Sequence, residues 1–288
     1  MDNNKTVGIC TMEKFDNRQF NSVGSSRIRV RWLLPYWPEA EEYVIGKSYE
    51  VLIFQKVYWK KMMQDFKGIK ILDLCDPDWL ENKPVFEFID LADAVTTSTE
   101  ALAEYIRKVR PNALVRCIPD RVYMPEATPI KTVHNDELKK VVWFGYHQNA
   151  HYLVQTYDEL IKQNVELTIV CEQAIEPGMG YRGKLAVNNV PFNYPTLNKE
   201  LIKADAILLP DPVGDERAKY KSNNKTLQGW ALAMPVVKTA DDLERLLSKE
   251  ARETEGKRNR KEVEDKWDVK YSVKNYKDLF EEIRAKKR

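Results

Sequence analysis

The sequence predicts an α/β protein built from two doubly wound domains, each a parallel sheet covered by helices on both faces. The chain has 288 residues, which exceeds the usual size of one domain. Short apolar, β-branched runs alternate with longer amphipathic stretches almost throughout, a pattern typical of buried parallel strands connected by helices. The alternation stops at a polar, proline-containing stretch, 125–140, and then begins again. We interpret that stretch as a linker between two similar domains.

Ten segments carry the strand pattern, five on each side of the linker. Those before it are TVGIC (6–10), EVLIF (50–54), IKILDL (69–74), DAVTT (93–97) and LVRCI (114–118). Those after it are KVVWFG (140–145), ELTIVCE (166–172), LAVNNV (185–190), AILLP (206–210) and MPVVK (234–238). Helical patterns in the second half cover 149–162, 197–204 and 223–233. The clearest helix is TSTEALAEYIRKV, for which Thr97 and Glu100 predict a capping box.

The expected domains are 1–130, 131–265 and a carboxy-terminal helix, 266–288. The apolar face of that helix consists of Tyr276, Leu279, Phe280 and Ile283. We expect it to pack back across the domain boundary, because such a face must be buried somewhere. Two sheets joined by a linker would leave a central cleft at the carboxyl ends of their strands, where open α/β sheets bind ligands. The sequence therefore predicts a small-molecule site facing that cleft.

Composition is that of an ordinary soluble protein, with 43% hydrophobic residues, 31% charged residues and a formal charge of +2. From Ala251 to Arg288 there are 13 Lys/Arg against 9 Asp/Glu. That basic segment favours a solvated helix face, and contact with an anionic membrane or nucleic acid is the alternative. The sequence shows no signal-peptide pattern and no long apolar window, so the expected location is the cytoplasm, with peripheral membrane association left open. The four cysteines are too scattered for a metal site or a disulfide framework.

Three motifs have simpler interpretations than their chemistry suggests. GMGYRG (178–183) has the glycine spacing of a dinucleotide fingerprint, but its context is not strand-to-helix, so a loop is favoured over an NAD site. Asp76 and Asp78 follow a predicted strand, where a carboxylate pair suits either a divalent cation or a turn. A role without metal at the edge of the cleft is favoured. His147 and His151 lack a third zinc ligand, so a hydrogen bond to a ligand is the better interpretation, and His134 is expected to be exposed.

A polar turn runs directly into an apolar helix in YKSNNKTLQGWALAMPVV (220–237). A helix that begins there would present free N–H groups and a positive dipole end to an anion. Lys225 adds a full charge, while Ser222, Asn223 and Asn224 are suited to capping or to donating hydrogen bonds. The simpler interpretation is a helix cap beside a solvated lysine.

NNKTLQGWALAMPVV (223–237) resembles the nucleotide-sugar signature of two-domain glycosyltransferases, particularly family 4, whose pattern is close to S-P-N-K-x-x-E-A-M-A-x-G-x-P-V-V. Four other segments agree with that family in order. They are VGSSRIRVRWLLPYW (23–37), ADAVTTSTEALAEYIRKVRPNALVRCIPDRV (92–122), KKVVWFGYHQNAHYL (139–153) and LNKELIKADAILLP (197–210). The resemblance implies the GT-B fold, in which two Rossmann-like domains face a central cleft. The first domain would hold the acceptor and the second would bind the donor.

The resemblance also implies roles for individual residues. The donor set is Ser222, Asn223, Asn224 and Lys225 at the diphosphate, Gly145 and Tyr146 on its far side, and Val190, Pro191 and Phe192 near the base. Gln228 matches the family's glutamate that grips the donor ribose, and Tyr220 stands where an earlier glutamate is usual. On the acceptor side, Gly24, Ser25 and Arg27 belong to the first loop. Arg27 and Arg29 either hold an anionic acceptor or are surface charge. The first domain has no histidine, so Asp76 or Asp78 would take the place beside the sugar.

The predicted activity is transfer of a sugar from a UDP- or GDP-sugar donor to an acceptor, with no permanently bound cofactor. Family resemblance implies retention of configuration and no obligatory metal, with Lys225 stabilising the leaving diphosphate. The acceptor is left open among a glycan, a lipid-linked sugar and a modified DNA base. Three alternatives remain: a catalytically silent nucleotide-sugar-binding protein, a sugar-nucleotide epimerase, and a metal-dependent transferase that uses Asp76 and Asp78.

Overall fold

The protein folds as two units, each assembled from separate stretches of the chain. The computed structural model describes residues 5–12 and 23–288. Residues 1–4 and 13–22 of the predicted first domain therefore lie outside the described part of the chain. Unit 1 comprises Met1–Tyr123, Glu216–Asn223 and Asp268–Arg288. Unit 2 comprises Met124–Asp215 and Asn224–Trp267. The division differs from the expected 1–130, 131–265 and 266–288 chiefly at 216–223, a short segment that joins unit 1.

Unit 1 contains a parallel sheet of six strands in the order β2-β1-β3-β4-β5-β6. The strands are β1 Val7–Cys10, β2 Ala40–Glu42, β3 Val51–Gln55, β4 Ile69–Leu74, β5 Ala94–Thr97 and β6 Val115–Cys117. Five of them confirm the predicted segments. Sequence analysis missed β2, because its three residues contain no apolar run. Since β1 pairs with β2 on one side and β3 on the other, the order of the strands reverses at β1.

Unit 2 contains a parallel sheet of five strands in the order β11-β10-β7-β8-β9. The strands are β7 Lys140–Phe144, β8 Glu166–Cys171, β9 Val187–Pro191, β10 Ala206–Leu208 and β11 Val236–Val237. All five overlap predicted segments, and β9 extends one residue beyond its predicted segment 185–190. Here the order reverses between β7 and β10, which is the switch point at which doubly wound sheets bind ligands.

Helices connect the strands of both sheets. The α-helices are α1 Gly24–Ser26, α2 Lys60–Asp65, α3 Val85–Leu91, α4 Glu100–Val109, α5 Tyr157–Lys162, α6 Tyr194–Leu201, α7 Asn224–Ala231, α8 Ala240–Arg245, α9 Lys249–Lys266 and α10 Lys270–Lys287. A π-helical turn spans Arg27–Arg31, and 3-10 turns span Leu34–Tyr36, Asp78–Glu81, Met124–Glu126, His147–Thr156 and Glu216–Tyr220. The predicted helix 149–162 is therefore mostly a 3-10 segment that leads into α5.

The predicted cap of α4 is wrong by two residues. Thr97 is the last residue of β5, and the N-cap is Thr99, whose side-chain oxygen accepts a hydrogen bond from the backbone N–H of Leu102 at 3.3 Å. The cap moves because the strand continues to Thr97 before the chain turns into the helix.

The carboxy-terminal helix α10 belongs to unit 1 and buries the face that the sequence predicts. Trp37 stacks on Tyr276 and Phe280, with ring centroids 5.3 and 5.8 Å apart. Leu279 and Ile283 lie in the same apolar cluster. Burying each such side chain stabilises the fold by ~1.5–3 kcal/mol.

Candidate functional site

The donor-side candidate site lies at the switch point of the unit 2 sheet, where β7 ends. Lys225, the second residue of α7, places its ammonium nitrogen 5.3 Å from the ring centroid of Trp143 and 5.7 Å from that of Phe144. A Cβ atom on Gly145 would lie 2.5 Å from the same nitrogen. A side chain at position 145 would displace the end of the Lys225 side chain and would also press on the Trp143 ring, 2.9 Å from its nearest carbon, so glycine suits this position. The fold brings together two of the residues that sequence analysis assigned to the donor diphosphate.

The loop that follows Gly145 is held by a carboxylate from the next strand. The backbone N–H of His147 donates to Glu172 Oε1 at 2.9 Å, and the Cys171 thiol donates to Glu172 Oε2 at 3.1 Å. Burial would raise the pKa of Glu172, but the hydrogen bonds from the His147 N–H and the Cys171 thiol, together with its own backbone N–H, outweigh burial and hold that pKa below its ordinary value. Tyr146 stays exposed beside this anchor. Sequence analysis missed Glu172, although its position directly after β8 is the signal that indicates it.

The residues expected near the nucleotide base differ in how far they are buried. Val190 and Phe192 are partly buried and pack against the apolar cluster beneath the sheet. The backbone N–H of Phe192 donates to the Cys171 carbonyl at 2.9 Å and so continues the pairing of β9 with β8. Pro191 is exposed between them. Any base contact from these residues would come from the strand end rather than from a mobile loop.

Ser222 and Asn223 belong to unit 1, whereas Asn224 and Lys225 belong to unit 2. The Ser222 hydroxyl donates to Asp120 Oδ2 at 2.6 Å. The structure thus gives Ser222 a different partner from the expected phosphate. Only Asn224 and Lys225 of the predicted polar turn lie on the helix that reaches the end of β7.

Tyr220, which stands in place of a glutamate of the resembling family, is a packing residue of unit 1. It is buried, with its ring centroid 5.3 Å from Trp79 and 5.9 Å from Tyr105. Trp79 and Tyr105 are themselves stacked at 4.4 Å. The Thr99 hydroxyl donates to the Tyr220 carbonyl at 3.1 Å. This aromatic cluster explains why segment 216–223 groups with unit 1.

Gln228 is engaged inside unit 2. Its side-chain N–H donates to Asn198 Oδ1 at 3.2 Å. The Asn198 amide nitrogen in turn donates to the backbone carbonyls of Glu126 at 2.8 Å and Thr128 at 3.3 Å. This chain of hydrogen bonds fixes the orientation of the Asn198 amide, so the residue at 228 must be a donor.

We expect Gln228→Glu to weaken the fold of unit 2. A carboxylate would face the Asn198 oxygen without an N–H to donate, and the loss of a satisfied polar contact costs about 1–3 kcal/mol. Urea unfolding at pH 7 measures this. Gln155→Glu is the matched control, because the Gln155 side chain is exposed and its N–H donates to the Asp211 carbonyl at the surface. Equal stability of the two variants would show that the Gln228–Asn198 contact has no such role.

Arg29 is the centre of a buried polar network in unit 1, not a surface charge. Its guanidinium donates to both carboxylate oxygens of Asp73, at 3.1 and 2.5 Å, to Asp120 at 3.2 Å and to the Ile118 carbonyl at 2.5 Å. It also contacts the Tyr276 hydroxyl at 3.3 Å. Burial would lower the pKa of Arg29, but the adjacent Asp73 outweighs it and raises that pKa. Arg29 thereby links the sheet to α10, and its side chain has a structural role in the buried interior of unit 1.

The other predicted acceptor-side residues lie where the chain enters this network. Gly24 and Ser25 form most of the short α1, and both are half-buried. Arg27 is buried, with its guanidinium carbon 5.9 Å from the Trp32 ring centroid. The surface-charge alternative is therefore wrong for Arg27 and for Arg29 alike.

Asp76 and Asp78 differ sharply in their surroundings. Lys56 pairs with Asp76 at 2.5 Å and with Asp78 at 3.4 Å, and Lys83 pairs with Asp78 at 3.3 Å. The Tyr58 hydroxyl donates to Asp78 at 2.6 Å. The side chain of Asp78 is 0% exposed, whereas that of Asp76 is 43% exposed. Of the two, Asp76 is the carboxylate that a substrate can reach.

Asp76 is held in its ionised form. Burial would raise its pKa, but the ammonium of Lys56 outweighs burial and keeps the pKa below the ordinary aspartate value. Lysine side chains also occupy the positions that a cation would take between Asp76 and Asp78. Within residues 5–12 and 23–288, no group of three or more His, Cys, Asp or Glu side chains is arranged to hold a metal ion.

The histidines do not form a cluster. His151 accepts or donates only locally, with Nδ1 2.8 Å from the Gln148 carbonyl. His134 is buried, contrary to expectation, because the predicted linker 125–140 is folded as part of unit 2. Its burial lowers its pKa. His147 contributes its backbone to the site, as described above.

Several solved structures to which this chain is similar in fold are glycosyltransferases. A glycosyltransferase from Rickettsia africae has a TM-score of 0.64 at 9% identity, covering 97% of this chain and 99% of that chain. The Anabaena protein HepE, in complex with UDP and glucose, has a TM-score of 0.60 at 10% identity, covering 96% and 99%. The BGT of phage T4, in complex with its UDP-glucose substrate, has a TM-score of 0.56 at 10% identity, covering 96% and 98%. The protein has the GT-B fold.

At these identities the likeness concerns the fold and confirms the predicted class of two Rossmann-like α/β domains. The sequence matches no protein-family model and no curated protein sequence. Among the helices in the described part of the chain, none is both long and apolar enough to cross a membrane.

Proposed function

We propose that the protein transfers a glycosyl group from a nucleoside-diphosphate sugar to an acceptor. The observation that carries the proposal is the approach of Lys225 to Gly145 at the switch point of the unit 2 sheet. A diphosphate placed there would meet a full positive charge, the N–H groups of the first turn of α7, and a glycine that leaves space for its oxygens. These groups suit a leaving group whose negative charge grows in the transition state.

The donor is proposed to be a UDP- or GDP-sugar, and UDP-glucose is the first to test. Two proteins of the same fold, HepE and the T4 enzyme, are described with UDP and glucose or with UDP-glucose. Retention of configuration, metal independence and kinship with family 4 belong to the proposal through the sequence signature at 223–237. The acceptor is a glycan, a lipid-linked sugar or a modified DNA base.

Asp76 is proposed as the catalytic residue on the acceptor side. Its carboxylate follows β4, is half-exposed and is kept ionised by Lys56. It can therefore accept a hydrogen bond or a proton from an acceptor hydroxyl, or stabilise positive charge on the sugar. The buried Asp78 contacts Lys56, Lys83 and Tyr58. Its proposed role is to position Lys56, which in turn contacts Asp76.

We expect Asp76→Asn and Asp78→Asn to fail in different ways. Asp76→Asn should lower the transfer rate by about 10²–10⁴-fold while donor affinity is kept. Asp78→Asn should lower stability first, because it removes a buried charge that faces two lysines and a tyrosine. Steady-state kinetics and thermal unfolding of both variants measure this. The assignment of Asp76 is contradicted if its variant turns over at the rate of the unsubstituted enzyme.

The activity itself is tested by UDP release from UDP-glucose with and without candidate acceptors. A saturating donor, at 100-fold its dissociation constant, should add about 2.7 kcal/mol to the free energy of unfolding, which first identifies the donor. UDP release that depends on an acceptor supports the transferase. Donor binding without release under all conditions supports the silent binding protein, which the engaged Gln228 and buried Tyr220 favour. Conversion of the donor sugar without any acceptor supports the epimerase.

A further inference from the structure

Unit 1 has an apolar pocket of its own at the carboxyl ends of β1 and β2. Its volume is about 250 Å³. The apolar walls are Ile9, Tyr43, Ile45, Trp59 and Met62, and Glu42 is the charged group among them. An apolar cavity of ~150 Å³ is large enough to bind benzene, so this pocket has room for a ring with substituents.

The pocket lies at the point where the order of strands in the unit 1 sheet reverses. β1 and β2 supply one side, and Trp59 and Met62 come from the segment after β3 and from α2, on the other side of β1. Open α/β sheets bind ligands at such points, outside the carboxyl ends of the strands. Asp76 follows β4, which is two strands from β1, and adjacent strands lie ~4.8 Å apart. A group in the pocket is therefore about 10 Å along the sheet from the proposed catalytic carboxylate.

Hydrogen bonds hold the rim of the pocket in place, and the rim exposes apolar side chains. The Tyr49 hydroxyl accepts a hydrogen bond from the Val44 N–H at 3.1 Å and donates to Glu41 at 2.8 Å, which anchors the turn after β2. Gly46 in that turn has φ of +85°, a left-handed conformation that favours glycine. At its tip Ile45 is 81% exposed, and Trp59 across the pocket is 43% exposed. Clustered exposed apolar groups of this kind mark binding sites.

The charges around the pocket are balanced. Lys47 pairs with Glu41 at 2.5 Å, Lys61 pairs with Asp65 at 3.0 Å, and Lys60 pairs with Glu87. A nucleic-acid backbone needs several positive charges that neutralise phosphates, and each lysine named here already faces a carboxylate. Thr11, Glu42 and the Tyr43 hydroxyl are the polar side-chain groups of the lining, and the remainder of the wall is apolar, as in most pockets for small molecules. The pocket therefore favours a neutral apolar ring.

We propose that this pocket binds an aromatic or alicyclic ring of the acceptor, attached to the part that carries the reacting hydroxyl. The ring packs against the wall that Trp59 and Tyr43 form together, whose own rings meet edge to face with centroids 6.3 Å apart. The attached polar part extends along the sheet toward Asp76. Identification of the ligand as an acceptor rests on the glycosyltransferase proposed above. Binding of the ring itself rests on unit 1 alone.

The test compares phenyl β-D-glucoside with methyl β-D-glucoside as probes, without donor, by isothermal titration on the full chain. Phenyl glucoside should bind on the order of tenfold more tightly, because its ring is removed from water. Trp59→Ala should reduce that preference to less than threefold, and Trp59→Phe should keep most of it. Val133→Ser is the control, because this exposed valine is in unit 2 and the preference should be unchanged.

Equal affinity for the two probes, or a preference that Trp59→Ala leaves intact, would overturn the proposal. So would a short DNA duplex that binds the protein and loses affinity in Trp59→Ala, since the pocket would then serve a nucleic acid. UDP release in the presence of each glucoside is measured separately. Preferential binding of phenyl glucoside without UDP release would support the pocket and contradict the transferase. UDP release without a preference for phenyl glucoside would support the transferase and contradict the pocket.

Discussion

Lys225→Ala is expected to cause the largest loss of affinity for the nucleotide-sugar donor. The side chain carries the full positive charge at the end of β7, and its nitrogen approaches Gly145 so closely that a methyl group there would collide with it. A charge-assisted hydrogen bond to a phosphate contributes more than a neutral one. Loss of the cation should weaken donor affinity about 100-fold, or ~2.7 kcal/mol. Isothermal titration with UDP-glucose measures this.

Two further variants make that result specific. Lys203→Ala removes an exposed lysine of unit 2 that pairs with Glu200 at 2.7 Å, and donor affinity should not change. Gly145→Ala keeps the charge of Lys225 but displaces it, so affinity should fall although the lysine remains. Donor affinity that survives Lys225→Ala would show that the diphosphate binds elsewhere.

Arg29→Met is expected to cause the largest loss of stability. Methionine fills much of the space of arginine but leaves Asp73 and Asp120 buried without their cation. Removing one partner of a buried ion pair costs about 3–5 kcal/mol. Urea unfolding of the two proteins at pH 7 measures the difference. Arg284→Met is the control, because Arg284 is partly exposed and its pairs with Glu50 and Glu281 are surface contacts worth less than about 1 kcal/mol each.

The pH dependence separates loss of charge from loss of packing. Burial already raises the pKa of Asp120 although Arg29 opposes it. Without Arg29, the folded-state pKa of Asp120 should lie still further above its unfolded value. The folded state then binds more protons than the unfolded state, so the stability deficit should shrink as the pH falls from 7 toward 4. A deficit that stays constant over that range would indicate that packing alone was lost.

The strands were predictable because their signal is local. Ten of the eleven strands of the two sheets lie in apolar runs that a reader of the sequence can mark, and β2 escaped because Ala40–Glu42 contains no such run. The amphipathic face of α10 was equally plain. The sequence did not show that this helix belongs to unit 1, because its partner Trp37 lies far away along the chain.

The polar residues were less predictable, because a polar side chain takes whichever partner the fold brings to it. Arg29 looked like a loop charge and is the centre of a buried network. Ser222 looked like a phosphate ligand and donates to Asp120. Tyr220 stands at a position where the resembling family usually has a glutamate, and it packs on Trp79. None of these partners is near in sequence.

By itself, the sequence determined the two parallel sheets and the proximity of a glycine and a lysine to a strand end, because apolar runs and turn residues act over a few positions. Only the tertiary structure decided that segment 216–223 belongs to unit 1, that Asp76 rather than Asp78 is accessible, and that an apolar pocket forms where the unit 1 sheet reverses. Those features depend on side chains from distant segments, whose burial and pairing are settled when the sheets assemble and not before.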